Sequence, residues 1–498
     1  MAEDLNDAVE AGDRPMIMNV FCKMTAILAG IAMLGSGFAD ISDTSSKGLS
    51  AGQKPAYLAE SVLLGDEQQD LYLPLLKEKR VALFSNQTGI AGNRIVEKES
   101  GVRETEEHRA EKKIMENTQD ASKPGNLPEE DGLQENGADL IPFGKNADGT
   151  EVTYGDHILD ILVRQGVDVK AVFSPEHGFR GTSDAGAGVD DTVDEKTGIP
   201  IISLYGNRPK QPTAAELDLF DVLVVDIQDV GLRYYTYYIT MYHLMDACAA
   251  AGKEVLIMDR PNPNGFYVDG PVLEEKFTSG VGNLPIPVVH GMTLGELARM
   301  INGEGWLSTG PDSCRLTVVP CQNYTHRTLT SLVMRPSPNL KDMRAVYLYA
   351  STCFFENTAF SVGRGTDHPF EIYGSPYLRD SFSFTPVSME GAVSPPFEGQ
   401  TCYGRDLRAI PLDHILQEKI DLTYLIEAYR VLRDTRPDIS FFGDPDGAGH
   451  YWIDYLFGTD RVRRMIEEGC GPEKIESAWQ DEVEAFKEQR QQYLLYEE

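Results

Sequence analysis

The chain has 498 residues, 41% of them hydrophobic, and its 78 acidic against 45 basic side chains give a formal charge of −33. That length exceeds one ordinary core and implies two domains with extra segments. So acidic a surface repels nucleic acid and anionic membranes, which excludes both as partners.

At the amino terminus, Lys23 precedes an apolar stretch from Met24 to Leu34 and then Gly35-Ser-Gly-Phe-Ala39. A basic residue, a short apolar core and small residues at the end describe a secretory signal peptide, here within residues 1–39. The acidic Met1–Pro15 is foreign to such a signal, and translation from Met18 or Met16 removes the conflict. The apolar stretch is short for a bilayer span, and no cysteine follows the cleavage point, so no stable membrane anchor is expected. The alternative is a buried N-terminal helix. Residues 40–71 then form a lead-in to the first domain.

Arg80-Val-Ala-Leu-Phe-Ser-Asn86 reads as the first strand, with Gln87-Thr-Gly89 as its exit turn. Residues 93–153 are polar, Glu/Lys/Gly-rich and without apolar periodicity, and are expected to be a disordered acidic insertion. Asp156–Val163 has a helical pattern and is followed by a strand, Ala171-Val-Phe-Ser-Pro-Glu176. A short helix at Thr213–Leu219 precedes the strand Val222-Leu-Val-Val-Asp226. A longer helix at Tyr237–Ala251, with Gly252 as its C-cap, precedes Glu254-Val-Leu-Ile-Met-Asp259. Thr293–Ile301 is a further helix with Thr293 at its N-cap. These strands are continuous apolar runs, the pattern of a parallel sheet buried on both faces. Their alternation with helices predicts an α/β, Rossmann-like doubly wound domain over residues 72–343. Loops rich in Gly, Pro and aromatics follow to about Pro411, then amphipathic helices, among them Asp454–Glu467 and Pro472–Tyr493. Residues 344–498 are assigned to a smaller α+β C-terminal domain.

Three of these strands end in acids, Glu176, Asp226 and Asp259. In open α/β sheets ligands bind outside the carboxyl ends of the strands, so the acids converge on one crevice. Glu176, in Ser174-Pro-Glu-His-Gly-Phe-Arg-Gly181, suits a general acid if aromatic walls shield it and raise its pKa. Its alternative is a helix cap or an ion pair with Arg180, and His177 and Arg180 are assigned to substrate binding. Asp226-Ile-Gln-Asp-Val-Gly-Leu-Arg-Tyr-Tyr-Thr-Tyr237 supplies Asp226 as a second catalytic acid, with Gln228, Asp229, Arg233, Tyr235 and Tyr237 as sugar-binding residues. There Arg233 is suited to a substrate carboxylate. The alternative is a packed helix start, with the tyrosines in the core and Asp229 as a cap. Asp259-Arg260 reads as a structural ion pair holding the loop. Glu356 and Arg364, flanked by glycines that permit close ligand approach, bind substrate or form a domain-interface salt bridge.

Several chemistries lack their motifs. Gly178-Phe-Arg-Gly181 and Gly186-Ala-Gly188 do not have dinucleotide-binding spacing and there is no Walker A sequence, so no nucleotide cofactor is expected. No H-x-x-x-H or H-x-x-E-H occurs, no C-x-x-C pair exists among seven cysteines, and no metal or other cofactor is assigned. No G-x-S-x-G elbow marks a serine hydrolase.

Taken together, Leu83-Phe-Ser-Asn-Gln-Thr-Gly89, Phe173-Ser-Pro-Glu-His-Gly-Phe-Arg-Gly181, Val225–Tyr237, Met258-Asp-Arg-Pro-Asn-Pro263, Pro336-Ser-Pro-Asn339, Glu356–Thr366 and Arg490-Gln-Gln-Tyr-Leu-Leu-Tyr496 resemble the exo-β-N-acetylmuramidase family. The resemblance runs from about Tyr72 to the end, apart from the acidic segment. It implies a Rossmann-like domain plus a smaller C-terminal domain with the active site between them. It also implies release of N-acetylmuramic acid from the non-reducing ends of peptidoglycan-derived glycans such as MurNAc-GlcNAc, with Glu176 as the acid. Two departures stand out: the 93–153 insertion, and Glu356-Asn-Thr where the family carries Gly before Thr-Asn. With the signal segment, an exported enzyme of the bacterial cell envelope is expected, periplasmic or extracellular. The competing expectations are a non-catalytic glycan-binding protein and a metal-dependent hydrolase using the same cleft.

Overall fold

The computed structural model describes residues 62–91, 155–175, 179, 191–204, 211–332 and 334–498. The expected signal segment, the bulk of the acidic insertion, and Glu176, His177 and Arg180 lie outside these residues.

The central sheet has seven strands: β1 (Arg80–Ser85), β2 (Asp168–Ser174), β3 (Thr192–Val193), β4 (Pro200–Ser203), β5 (Val222–Asp226), β6 (Glu254–Met258) and β9 (Arg315–Val319). Their spatial order is β3-β4-β2-β1-β5-β6-β9. Every pairing is parallel except that of β3 with β4 at the edge. Without that edge strand, the six parallel strands follow the doubly wound 3-2-1-4-5-6 order. The chain therefore reverses its winding between β1 and β5. The short pair β7 (Asp269–Val272) and β8 (Pro287–Val289) is antiparallel and stands apart.

The apolar runs explain the sheet's two-sided burial. Ala82 and Phe84 of β1 join the larger core with Phe173, Leu223, Val225 and Ile257. Val81 and Leu83 face the opposite core with Val172, Val224, Leu256 and Met258. The helix Ile158–Arg164 covers that second side, its start capped by His157, whose ring accepts from Leu159 N. The helices Tyr237–Ala250 and Leu294–Gly303 cover the first. Thr293 and Glu296 make a reciprocal capping box at the start of the latter.

The C-terminal domain holds a three-stranded antiparallel sheet, β10 (Ile372–Ser375), β11 (Phe382–Phe384) and β12 (Cys402–Asp406), in the order β10-β12-β11. Helices complete it. The helix expected over Asp454–Glu467 is two helices, Trp452–Phe457 and Arg461–Glu467, because Gly458 takes φ +69° and ends the first. The expected Pro472–Tyr493 helix likewise divides into Pro472–Ser477, Gln480–Arg490 and a final 3₁₀ turn. Phe354 stacks on Phe457 at 3.7 Å between ring centroids, part of a core continuous with that of the main sheet.

Two straps from distant parts of the chain close over the exits of β6 and β9. On the N-terminal side, Leu63 bridges Gln322, and Gly65 N donates to Asp259 O at 3.0 Å. From the other end, Tyr496 donates its hydroxyl to Asp259 Oδ2 at 2.6 Å, and His326 N donates to Glu497 O at 2.8 Å. Leu64, Cys321, Tyr324 and Tyr496 form a small apolar cluster where the straps meet. Gly65 has no space for a side chain, since a Cβ there would lie 2.5 Å from Asp259 N and 2.6 Å from Val319 O. Gly65→Ala is expected to destabilise the fold by about 1–3 kcal/mol through overpacking against backbone. Urea unfolding should show a lower midpoint with an unchanged m-value.

Candidate active site at the switch point

The carboxyl ends of β1, β2 and β5 lie side by side, because Phe84 pairs with both Phe173 and Val225, and Ser85 pairs with Asp226. This is the edge where an open α/β sheet binds its ligand. β2 delivers the chain to Pro175, immediately before Glu176, at this edge.

Asp226 is fully buried. Its Oδ1 accepts from Arg260 Nε at 2.6 Å and its Oδ2 from Arg260 Nη2 at 3.0 Å. The same Nη2 reaches Asp66 Oδ2 at 2.7 Å and Ile90 O at 3.2 Å. Burial opposes the charge on Arg260, but Asp226 and Asp66 outweigh it and hold the guanidinium protonated. Asp66 is pushed well above the usual carboxylate range, chiefly by burial and against the pull of Arg260. Arg260 therefore ties the N-terminal strap and β6's exit to the floor of the crevice.

Asp259 has a different environment from the ion pair expected for it. Its carboxylate accepts from Thr293 Oγ1 at 2.7 Å, Gly295 N at 2.9 Å and the Tyr496 hydroxyl. Burial raises its pKa to about 6, against the lowering effect of those donors. The next residues, Pro261-Asn-Pro263, interlock with the β5 loop. Gly231 has φ +76°, and a Cβ on it would lie 2.2 Å from Asn262 Oδ1. Asn264 Nδ2 donates to Val230 O at 2.9 Å. The D-R-P-N-P and Q-D-V-G-L-R segments thus form one packed unit.

The expected binding residues after β5 are buried. Gln228 is buried, with its Nε2 donating to Asp229 O and Pro261 O, each at 2.8 Å. Tyr235 and Tyr237 are buried and both donate to Pro336 O, at 2.6 and 3.0 Å, so they support the loop above them. Arg233 is fully buried, and its guanidinium donates to Pro271 O, Ile286 O and Leu456 O. Burial lowers its pKa to about 10. It joins β7, β8 and the helix Trp452–Phe457 rather than standing open to a substrate.

Glu356 and Arg364, both in the C-terminal domain, pair with each other, with Nε 2.5 Å from Oε1. The Arg364 guanidinium also lies over the Phe370 ring at 5.0 Å. Phe370 takes φ +67°, a left-handed conformation that is strained for a bulky residue and persists where the surroundings impose it. This pair leaves the Arg364 Nη groups outside the hydrogen bonds found among the described residues. Motif reasoning assigned no role to Asn86 and Gln87 individually, although both lie at the end of β1. The Asn-Gln-Thr-Gly turn after a strand was the signal for them. Among the described residues, no three His, Cys, Asp or Glu side chains come together in a way that could hold a metal ion.

The chain has a two-domain α/β architecture with a candidate site at the topological switch point of its sheet. Residues 146–344 match the model for the N-terminal domain of the exo-β-N-acetylmuramidase NamZ, and residues 347–496 match that for its C-terminal domain. The peptidoglycan β-N-acetylmuramidase NamZ of Bacillus subtilis (strain 168) is 36% identical over 359 residues, covering 68% of this chain and 82% of that protein. A solved DUF1343 family protein from Bacteroides fragilis NCTC 9343 superposes with a TM-score of 0.68 at 43% identity, covering 88% of this chain and all of that one. A second from the same organism, 24% identical with a TM-score of 0.64, shares the fold. The chain belongs to the exo-β-N-acetylmuramidase NamZ family and is a glycoside hydrolase.

Asp229 gives the site region a pH signature. Its Oδ1 accepts from Gly231 N at 2.7 Å, its Oδ2 is buried without a partner among the described residues, and burial raises its pKa to about 7. The folded state then holds a proton that the unfolded chain has released, so this group's stabilising contribution is full below about pH 4 and lost as pH rises through about 7. Melting temperature is therefore expected to fall between pH 5 and pH 8. Asp229→Asn should flatten that slope, and an unchanged slope would show that Asp229 does not titrate there.

Proposed function

We propose that this protein is an exported exo-β-N-acetylmuramidase that releases N-acetylmuramic acid from the non-reducing ends of peptidoglycan-derived glycans, with Glu176 as general acid. The observation that carries this reading is the convergence of β2, which leads into Glu176, and the Asp226–Arg260 pair on one switch-point edge in a member of this family. Protonation of the leaving oxygen by a positioned carboxylic acid is worth on the order of 10²- to 10⁴-fold in rate.

Asp226 acts from beneath. Both of its oxygens are engaged by Arg260 and neither is exposed, so its role is to fix the end of β5, across β1 from the strand that leads into Glu176. Arg364, steadied by Glu356 and Phe370, offers its Nη groups to the lactyl carboxylate that distinguishes muramic acid. His177 and Arg180 are assigned to substrate binding, while Gln228, Tyr235 and Tyr237 hold the loops beside the β5 exit. The leader read in residues 1–39 brings enzyme and polymer into one compartment. No helix among the described residues is long and apolar enough to cross a membrane.

Release of N-acetylmuramic acid from MurNAc-GlcNAc, followed by mass spectrometry, tests the reading. Wild type is expected to release the sugar equally with and without a chelator, and Glu176→Gln to lose release by at least about a hundredfold. No release from any muramic-terminated glycan would sink it. Arg364→Met is expected to weaken competitive inhibition by free N-acetylmuramic acid by about 1.5–3 kcal/mol, roughly 10- to 150-fold. Inhibition by N-acetylglucosamine, which lacks the carboxylate, should change little, and equal weakening of both would remove Arg364 from carboxylate recognition.

A further inference from the structure

Asn86 and Gln87 follow β1 directly, at the switch point. Asn86 is fully buried, and its Oδ1 accepts two hydrogen bonds from Thr88, from the backbone N–H at 3.0 Å and the hydroxyl at 2.6 Å. A backbone N–H only donates, so the sense of the Asn86 amide is fixed. Its Nδ2 is therefore a donor, and it is buried with no partner among the described residues. Thr88 Oγ1 in turn accepts from Gln228 N at 2.9 Å, which ties this turn to the exit of β5.

Gln87 is fixed in the opposite sense. Its Nε2 donates to Arg335 O at 3.3 Å and Pro336 O at 3.4 Å, while its Oε1 is buried and without a partner among the described residues. Adjacent residues thus carry one unused neutral donor and one unused neutral acceptor, each oriented by the chain at its other end. Buried polar groups are nearly always satisfied, and an oriented pair left unsatisfied is retained where something else completes it. Here that place is the edge where α/β sheets take their ligands. A neutral donor and a neutral acceptor on consecutive residues together complement an amide, which accepts through its carbonyl and donates through its N–H. A carboxylate or phosphate is a poorer match, because the Gln87 oxygen repels it.

We propose that Asn86 and Gln87 form the subsite for the 2-acetamido group of the sugar, Asn86 donating to its carbonyl and Gln87 accepting from its N–H. This inference rests on the proposed N-acetylmuramidase reading and names the residues that recognise the N-acetyl group.

Asn86→Asp tests it, because the carboxylate keeps the acceptor that Thr88 needs and removes only the free donor. Wild type and variant would be compared on a muramic-terminated glycan and on the same glycan with its terminal sugar de-N-acetylated to the free amine. The variant is expected to lose kcat/KM on the acetylated glycan on the order of a hundredfold. It should lose at least about tenfold less on the amine, whose ammonium can donate to the new carboxylate. Equal changes on both substrates, or none, would overturn the assignment and leave Asn86 a turn residue. If Asn86→Asp fails to fold, Gln87→Met is measured the same way, and the same loss of discrimination against the amine is required. Turnover by wild type is the separate control: release from neither glycan sinks the muramidase reading. Saturation-transfer NMR with free N-acetylmuramic acid then decides the amide pair by whether binding depends on Asn86.

Discussion

A single guanidinium sits between the parts of this site. Arg260, buried just past the end of β6, grips Asp226 at the end of β5 and Asp66 in the N-terminal strap. Burying an ion pair is not in itself a source of stability, because desolvation cancels much of the attraction. Its value lies in what breaking it would do. Removing the cation alone would leave two acids buried together, and uncompensated buried charge costs about 3–5 kcal/mol. The strap, the loop after β6 and the end of β5 are therefore locked to one geometry, and the crevice floor inherits it.

On that floor, acids of the same chemical type have been given different tasks by their surroundings. Asp226 faces a permanent cation. Asp259 is caged by a hydroxyl, a backbone amide and a tyrosine drawn from the far end of the chain. Asp229 has one oxygen on a tight turn and the other buried without a partner among the described residues. Glycosidases require one carboxylic acid to be protonated while a neighbouring charge persists, and a crevice built from strand ends supplies positions where each environment can be set separately.

Much of the fold was legible because its signals are local. Continuous apolar runs in β1, β2, β5 and β6 announced strands buried on both faces, and Thr293 with Glu296 announced a helix start. The strand-end position of the acids followed from the same runs. What escaped depended on contacts between distant segments. β9 has an alternating pattern at a sheet edge and gave no continuous run to read. Arg233 sits in a motif full of polar residues, yet β7, β8 and a C-terminal helix close around it and leave only backbone carbonyls to receive it. Asp259 and Arg260 are neighbours in sequence, but each turns to a partner far along the chain, which adjacency cannot reveal. The two halves of the Asn86 and Gln87 amides are likewise distinguished only once Thr88 and the loop at Pro336 are in place.

The strap that ends in Tyr496 also sets an order of events. Tyr496 lies 237 residues after the Asp259 whose carboxylate it caps. A ribosome therefore completes the whole parallel sheet long before it makes the residue that finishes β6's exit. Closing a loop of that length has an entropic cost that must be met before the contact rewards it. Until Tyr496 has docked, the N-terminal domain can have its strands but lacks the hydroxyl that caps Asp259 beyond the end of β6.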